Sequence, residues 1–258
     1  MSSWIRHAKG KVSVKLNARP VSYGDTSSHQ ELTAIFLDVL GCYIYSQRLG
    51  EITRIYDPTN LVKSALVYNP QLSLLSERPK DGTLLSQTSI LDILKGMTFS
   101  DIKKYATGLL IYNPTFQKYI KEILEKAFIR SAFDFGIQLT NVSGNDFQAY
   151  TDVISEYQKK SRKQTLSIYV KTDSPSEFKE FQKVCNSSWK LTTLGTLVPK
   201  TLLEKEMTQL SEIQIFAIVP AAILDLRSNF GKYAYLMHRN PKGYEFFTDL
   251  NNTQWSLY

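Results

Sequence analysis

Cysteine and histidine are both scarce in this sequence, and their scarcity argues against two classes of protein. Only Cys42 and Cys185 occur among 258 residues, each in an apolar stretch. Disulfide-stapled secreted domains carry many cysteines, so this pattern favours two reduced core thiols and argues against an oxidising compartment. The three histidines, His7, His29 and His238, have no cysteine or carboxylate at metal-ligand spacing, and we expect no zinc site.

Long apolar runs and common catalytic motifs are also missing. The longest apolar stretch, residues 213–224, is interrupted by Gln214 and Pro220. It is far shorter than the ~20 residues that a transmembrane helix needs. Residues 1–11 contain no continuous apolar segment, so we expect no secretory signal. No Walker-type loop, Gly-x-Ser-x-Gly or Gly-x-Gly-x-x-Gly occurs, which leaves the corresponding enzyme classes without support.

Acidic residues are absent from residues 1–20, which carry five basic side chains. These make up most of the formal net charge of +7, so the rest of the chain is nearly balanced. We expect this basic arm to contact an acidic surface of a protein, a nucleic acid or a membrane. The alternatives are a retained transit-like sequence and a solvated edge strand in which Val12, Val14 and Leu16 alternate with polar residues.

Short apolar runs alternate with amphipathic segments along the chain, which predicts an α/β fold. We predict two α/β halves around a cleft: residues 1–132, which include the basic arm, and residues 133–258. In the first half the predicted strands are 12–16 and 52–56, and the predicted helices are 28–48, 90–94, 99–109 and 115–133. In the second half the predicted helices are 146–160 and 175–185, and the mainly parallel strands are 135–139, 166–170 and 221–224. Residues 69–89 and 190–200 are predicted to be polar loops.

The most informative segment follows the apolar run 213–224 and reads Asp-Leu-Arg-Ser-Asn-Phe-Gly-Lys. A strand that turns directly into a helix brings backbone amides and the positive helix end to the sheet edge, where α/β folds bind anions. The candidate binding residues are Arg227, Ser228, Asn229 and Lys232. The alternative interpretation is a capped helix with surface charges.

Four blocks of the sequence together resemble one family. They are residues 23–50 with a Gly-rich turn and helix, 135–141, 168–175 at a strand end, and the segment 225–237. Their order and spacing resemble the GT-B glycosyltransferases related to α-1,6-fucosyltransferases, over roughly residues 24–255. The resemblance implies two Rossmann-like halves with mainly parallel sheets. It also implies a site for GDP-fucose or GDP, in which serines and backbone amides hold the diphosphate.

The resemblance adds Asp173 to the nucleotide-binding candidates. Asp173 lies in the block 168–175, which is similar to a family strand followed by acidic residues. Strand exit and the capping box Ser174-Pro-Ser-Glu177 also account for Thr172 and Asp173 without a ligand.

This chain departs from the family at the residues that the resemblance would make catalytic. Gln138 stands in place of a histidine, Thr140 and Asn141 in place of two arginines, and Ser143 in place of an acidic residue. An arginine on the departing diphosphate stabilises charge that develops in the transition state, and neither threonine nor asparagine replaces it. The C-terminal segment keeps positive charge, so the sequence favours anion binding over transfer chemistry.

The sequence therefore favours a catalytically degenerate, fucosyltransferase-like protein that serves as a structural or interaction subunit of a larger assembly. A minor virion protein or an organellar complex subunit would fit, and the expected locations are cytoplasm, virion or mitochondrion. The alternatives are an active cytoplasmic GDP-fucose-dependent transferase that uses Arg227 or Lys232, and a module that binds sugar nucleotide without turnover. A basic side chain at the strand ends near Leu139, Lys171 and Leu224 would favour the enzyme.

Overall fold

The computed structural model describes residues 22–25, 32–57, 61–80, 83–85, 90, 92, 94–126, 132–139, 147–194, 202–240 and 243–251. The helices are α1 (Leu32–Leu49), α2 (Leu61–Ala65), α3 (Phe99–Leu109), α4 (Pro114–Lys126), α5 (Phe147–Ser161), α6 (Pro175–Val184), α7 (Leu202–Phe216) and α8 (Asn229–Met237). The strands are β1 (Ser22–Asp25), β2 (Thr53–Tyr56), β3 (Leu72–Leu75), β4 (Thr83–Leu84), β5 (Phe135–Gln138), β6 (Leu166–Lys171), β7 (Trp189–Thr192), β8 (Ala221–Ile223) and β9 (Phe246–Thr248). None of these helices is long and apolar enough to cross a membrane.

Two parallel sheets organise the molecule, which confirms the predicted α/β fold class. The first sheet has the strand order β3-β2-β1-β4, and the second has the order β7-β6-β5-β8-β9. Every pairing within both sheets is parallel. In the second sheet the chain first builds outward from β5 to β7 and then returns to place β8 on the other side of β5. This reversal makes the gap between the carboxyl ends of β5 and β8 the topological switch point, where ligands bind in open α/β sheets.

Local sequence signals set several helix ends. Thr98 and Asp101 form a reciprocal capping box, which fixes the start of α3 where the sequence predicts it. Gly50 follows α1 with a φ of 70°, a left-handed conformation that glycine adopts without steric cost. At α6 only half of the predicted capping box forms. Ser174 Oγ accepts the backbone N–H of Glu177 (3.2 Å), whereas the Glu177 carboxylate accepts a hydrogen bond from Thr172 Oγ1 (2.6 Å).

The loop predictions were wrong in two places. Residues 69–89 contain β3 and β4, and residues 190–200 contain most of β7. These strands, like β9, are only two to four residues long. Strands β3, β7 and β9 are mostly half-buried, whereas the equally short β5 and β8 are buried throughout and give a clearer signal. The apolar run 213–224 divides into the end of α7 and strand β8, with Pro220 between them. The predicted strand at 12–16 and the basic arm lie outside the described residues.

One hydrophobic core joins the first half of the chain to helices of the second. Helix α8 packs against α1 and α3, and α7 packs against α4. Phe36 of α1 and Tyr233 of α8 have ring centroids 5.7 Å apart, and the hydroxyls of Tyr112 and Tyr233 are hydrogen-bonded at 2.8 Å. The sequence left a group of aromatic residues near the C-terminus as either core or contact surface. Tyr233 is buried in this core, and Tyr235, Tyr244 and Phe247 are half-buried against it. Phe246 is half-buried against a second core, formed around β5 and β6.

We expect the two halves to unfold together, because separating them would expose this shared apolar surface to water. Differential scanning calorimetry should give one transition with equal calorimetric and van 't Hoff enthalpies. Two resolved transitions would contradict this expectation. The division of the chain near residue 133 stays a prediction.

Candidate functional site

The segment that the sequence singled out lies at the switch point of the second sheet. Strand β8 ends at Ile223, and residues 225–228 form a turn that leads directly into α8. Gln138, the last residue of the neighbouring strand β5, faces this turn from a buried position. We call the group formed by Gln138, Asp225, Arg227 and Ser228 the switch-point cluster.

Gln138 is fixed at both ends of its side-chain amide. Its Nε2 donates to Ser228 Oγ (2.9 Å), and its Oε1 accepts the backbone N–H of Asp225 (3.1 Å). The side chain therefore joins β5 to the turn after β8. An uncharged amide used in this way adds no charge with which to bind an anion.

Ser228 is the N-cap of α8, and its hydroxyl has no hydrogen-bonding capacity left. Ser228 Oγ accepts from the backbone N–H of Gly231 (2.9 Å) and from Gln138 Nε2, and it donates to the carbonyl oxygen of Asp225 (2.8 Å). A hydroxyl offers one donor and two acceptor sites, and all three are used. A bound phosphate would have to displace one of these partners to receive the Ser228 hydrogen.

Arg227 is paired within its own turn. Its Nε lies 3.0 Å from Asp225 Oδ1 and its Nη2 lies 3.1 Å from Asp225 Oδ2, a two-pronged ion pair. The hydrogen bond and the charge of Asp225 raise the pKa of Arg227. The Arg227 side chain is 63% exposed, so the pair is open to solvent. A ligand anion would compete with the Asp225 carboxylate for this guanidinium.

Asn229 and Lys232 occupy the first turn of α8, and both are half-buried. Partial burial lowers the pKa of Lys232. Asn229 and Lys232 follow Arg227 and Ser228 in the chain at the start of α8. That these four residues bind a nucleotide stays a prediction. The remaining positions of the predicted catalytic motif, Thr140, Asn141 and Ser143, lie outside the described residues.

Asp173 lies at the same edge of the sheet, beyond the end of β6, with its side chain 86% exposed. Its Oδ1 accepts a hydrogen bond from Lys171 Nζ at 2.6 Å. Lys171 is the residue that sequence reasoning did not select: its side chain is only 6% exposed, and its ammonium lies 5.4 Å from the ring centroid of Phe230 in α8. A lysine at the carboxyl end of an otherwise apolar strand was the available signal.

Helix α7 carries two buried carboxylates, Glu206 and Glu212. Glu212 Oε1 accepts a hydrogen bond from the hydroxyl of Tyr169 (2.8 Å), and burial raises the pKa of Glu212 to about 7. Glu206 Oε2 accepts the backbone N–H of Leu32 (2.9 Å), the first residue of α1. A side chain of the C-terminal half thus accepts a backbone hydrogen bond at the start of α1 in the N-terminal half.

The described residues offer no obvious metal centre. In the ranges that the structure covers, no group of three or more His, Cys, Asp or Glu side chains gathers in a way that would hold an ion. His238 is buried, and one of its ring nitrogens, Nε2, lies 3.0 Å from the Val219 carbonyl oxygen. Burial lowers the pKa of His238. Both cysteines are free thiols, and burial raises the pKa of each to about 12.

The fold is similar to that of solved fucosyltransferases. A variant of Arabidopsis thaliana FUT1 in complex with GDP superimposes with a TM-score of 0.55 at 12% identity, covering 85% of this chain and 68% of that one. NodZ α-1,6-fucosyltransferase soaked with GDP-fucose gives 0.55 at 11% identity, covering 84% and 92%. Fucosyltransferase NodZ from Bradyrhizobium gives 0.51 at 9% identity with the same coverage.

Comparison of sequences alone does not identify a relationship to these proteins. No protein-family model matches the chain, and no curated protein matches it at a significant level. The likeness is therefore one of structure, in agreement with the sequence blocks that predicted it. The chain has a fucosyltransferase-like GT-B fold.

Proposed function

We propose that this chain is a catalytically degenerate protein of fucosyltransferase-like fold that acts as a structural or interaction subunit of a larger assembly. The observation that carries the proposal is the self-contained hydrogen bonding of the switch-point cluster. Gln138 is uncharged and bonded at both ends, the Ser228 hydroxyl is saturated, and the Arg227 guanidinium is held by Asp225. These are the groups that would have to receive a diphosphate.

The way in which the two halves meet supports the same proposal. Side chains of the two halves are in direct contact at α1, where Tyr233 of α8 packs on Phe36 and Glu206 accepts the backbone N–H of Leu32. A transferase must leave room between its halves for donor and acceptor, because both reactants must be held in contact. Packed contacts of this kind suit a rigid subunit.

One observation favours the alternative, an active GDP-fucose-dependent transferase. Lys171 brings a positive charge to the carboxyl edge of the sheet, where the sequence alone predicted Arg227 or Lys232 as the replacement cation. Its ammonium is nearly buried and compensated by Asp173, so it would have to exchange that partner for a phosphate oxygen. In this alternative, donor hydrolysis would be lost in Lys171→Met.

Turnover by the purified chain separates the two functions. Release of GDP from GDP-fucose can be measured without knowing the acceptor. We expect no GDP release above the rate in the absence of protein. A cationic group at the leaving diphosphate contributes to transition-state stabilisation, and here each candidate cation is already paired or half-buried. Robust donor hydrolysis, or fucose transfer to any acceptor, would overturn the proposal.

The predicted nucleotide-binding residues have a separate test. Isothermal titration with GDP should show that any residual affinity falls roughly tenfold in Arg227→Ala/Lys232→Ala. Each charged hydrogen bond to a ligand contributes about 1.5–3 kcal/mol. We expect the smaller loss because other contacts in the protein already engage part of these cations. The matched control is Lys179→Ala/Lys183→Ala, which removes two exposed charges from α6. Equal GDP affinity in the first variant and the wild type would show that these residues do not form a nucleotide site.

A further inference from the structure

A cavity lies at the edge of the C-terminal sheet opposite the switch-point cluster. It opens between α4 of the first half and α7 of the second, and its volume is about 550 Å³. Phe133, directly before β5, and Ile218, shortly before β8, form part of its wall. Sites for small molecules usually measure ~300–1,000 Å³. The cavity thus has the size of a ligand site and is separate from the edge where sugar nucleotides would bind.

The body of the cavity is apolar. Ile120 and Leu124 of α4 face Ile215 of α7 across it, with Phe133 and Ile218 completing this surface. Ile218 is 48% exposed, so part of this apolar wall remains in contact with water. Covering such surface stabilises a complex by about 25 cal/mol for each Å² removed from water. An occupant with an apolar body would gain this energy.

The polar part of the lining has one sign of charge. Lys121 on α4 and Arg239 beyond α8 line the cavity, and none of the described lining residues is acidic. The Arg239 backbone N–H donates to the carbonyl oxygen of Ala217 (2.8 Å), which fixes this residue next to the end of α7. Among the described residues, Lys121 has an exposed contact with Glu125 at 3.6 Å, and such surface pairs are weak. Both cations are therefore available to an anionic group.

We propose that this cavity binds a small amphipathic anion, with its apolar chain between α4 and α7 and its anionic head at Lys121 and Arg239. The lining matches both parts of such a molecule: apolar side chains from both helices face its chain, and two cations, of which Lys121 has a weak exposed contact with Glu125, face its head. The site does not depend on the function proposed for the switch-point cluster, so either can hold without the other.

Dodecanoate is a suitable probe, titrated into the full chain at low ionic strength and below its critical micelle concentration. Dodecanol and dodecyltrimethylammonium carry the same chain with a neutral and a positive head. We expect dodecanoate to bind at least tenfold more tightly than dodecyltrimethylammonium. Each cation at the rim attracts the carboxylate of dodecanoate by up to about 1 kcal/mol and repels the ammonium of the cationic analogue. Dodecanol should fall between them.

Variants assign the binding to this cavity. Lys121→Gln/Arg239→Gln should weaken dodecanoate about tenfold and leave dodecanol unchanged. Ile218→Ser should weaken the binding of dodecanoate and of dodecanol by about threefold, because it removes apolar surface from the cavity wall. Ile218 is half-exposed, so we expect the variant to fold. Lys118→Gln, one turn away on α4 and outside the lining, is the matched control and should bind all three probes like the wild type.

Three results would overturn the proposal. The first is that none of the three probes binds. The second is equal affinity for dodecanoate and dodecyltrimethylammonium. The third is a dodecanoate affinity that is unchanged in Lys121→Gln/Arg239→Gln. Circular dichroism of each variant checks that it is folded before titration.

Discussion

Replacing Glu212 with glutamine should raise the free energy of unfolding by about 3 kcal/mol at pH 8 and change it little at pH 4. The pKa of Glu212 is raised from its usual 4.5 to about 7 in the folded protein by burial. The folded chain therefore keeps a proton that the unfolded chain releases. This stabilisation is complete below pH 4.5 and is lost as the pH rises through about 7, at about 1.4 kcal/mol per pH unit.

Glutamine preserves the local contacts and removes the titration. Its side-chain oxygen can still accept the hydrogen bond from the Tyr169 hydroxyl, which reaches Glu212 at 2.8 Å. The charged groups that act on this site are Lys171, which lowers the pKa of Glu212, and Asp173, which raises it. Urea unfolding from pH 4 to pH 8 measures the effect, with Glu180→Gln on the exposed face of α6 as control. Parallel stability profiles for Glu212→Gln and the wild type would refute the buried titration.

Replacing Gly231 with alanine should lower the free energy of unfolding by about 3 kcal/mol. A Cβ at this position would lie 2.1 Å from the carbonyl oxygen of Asp225 and 3.0 Å from Gln138 Oε1. The first contact is with backbone, so relief requires α8 to move away from the turn after β8. That movement would break the Ser228 hydrogen bonds that close the switch-point cluster.

Gly108 provides a matched control for this substitution. It is also helical, near the end of α3, and an added Cβ would meet nothing within 4 Å. Gly108→Ala should therefore raise stability by about 0.5–1 kcal/mol, the usual gain from alanine in a helix. Chemical denaturation of both variants tests the pair, and a Gly231→Ala protein as stable as the wild type would show that the close approach is unimportant.

The sequence predicted the elements whose signals are local. Helix α3 begins and ends at the predicted residues, because Thr98 and Asp101 cap its start and an amphipathic pattern runs to Leu109. In the second half β5, β6 and β8 fall at the predicted positions within about one residue, since each is a short buried apolar run between turns. The short strands β3, β4, β7 and β9 were missed because their pairing partners define them, and those partners are distant in the sequence.

The candidate site was predicted as a segment but not as a bonding network. The strand-to-helix pattern placed Arg227 and Ser228 where β8 leads into α8, and the structure identifies Ser228 as the helix cap. Their role in nucleotide binding stays a prediction. The sequence could not show that Gln138, ninety positions earlier, bonds to Ser228. Such a pairing depends on which strands become neighbours, and strand order is a property of the whole fold. The contact of Lys171 with Phe230 has the same origin. The ion pairs of Asp225 with Arg227 and of Lys171 with Asp173 are local, and the sequence reasoning overlooked them.

The position of α8 has a consequence for the order in which the chain is made. Helix α1, buried on most of its surface, is synthesised early, and part of its cover is α8 at Asn229–Met237. Because domains emerge from the ribosome in sequence order, nearly two hundred residues must follow α1 before that cover exists. Throughout that interval the part of α1 that α8 covers stays exposed to water. A helix made late in synthesis thus completes the cover of a helix made much earlier.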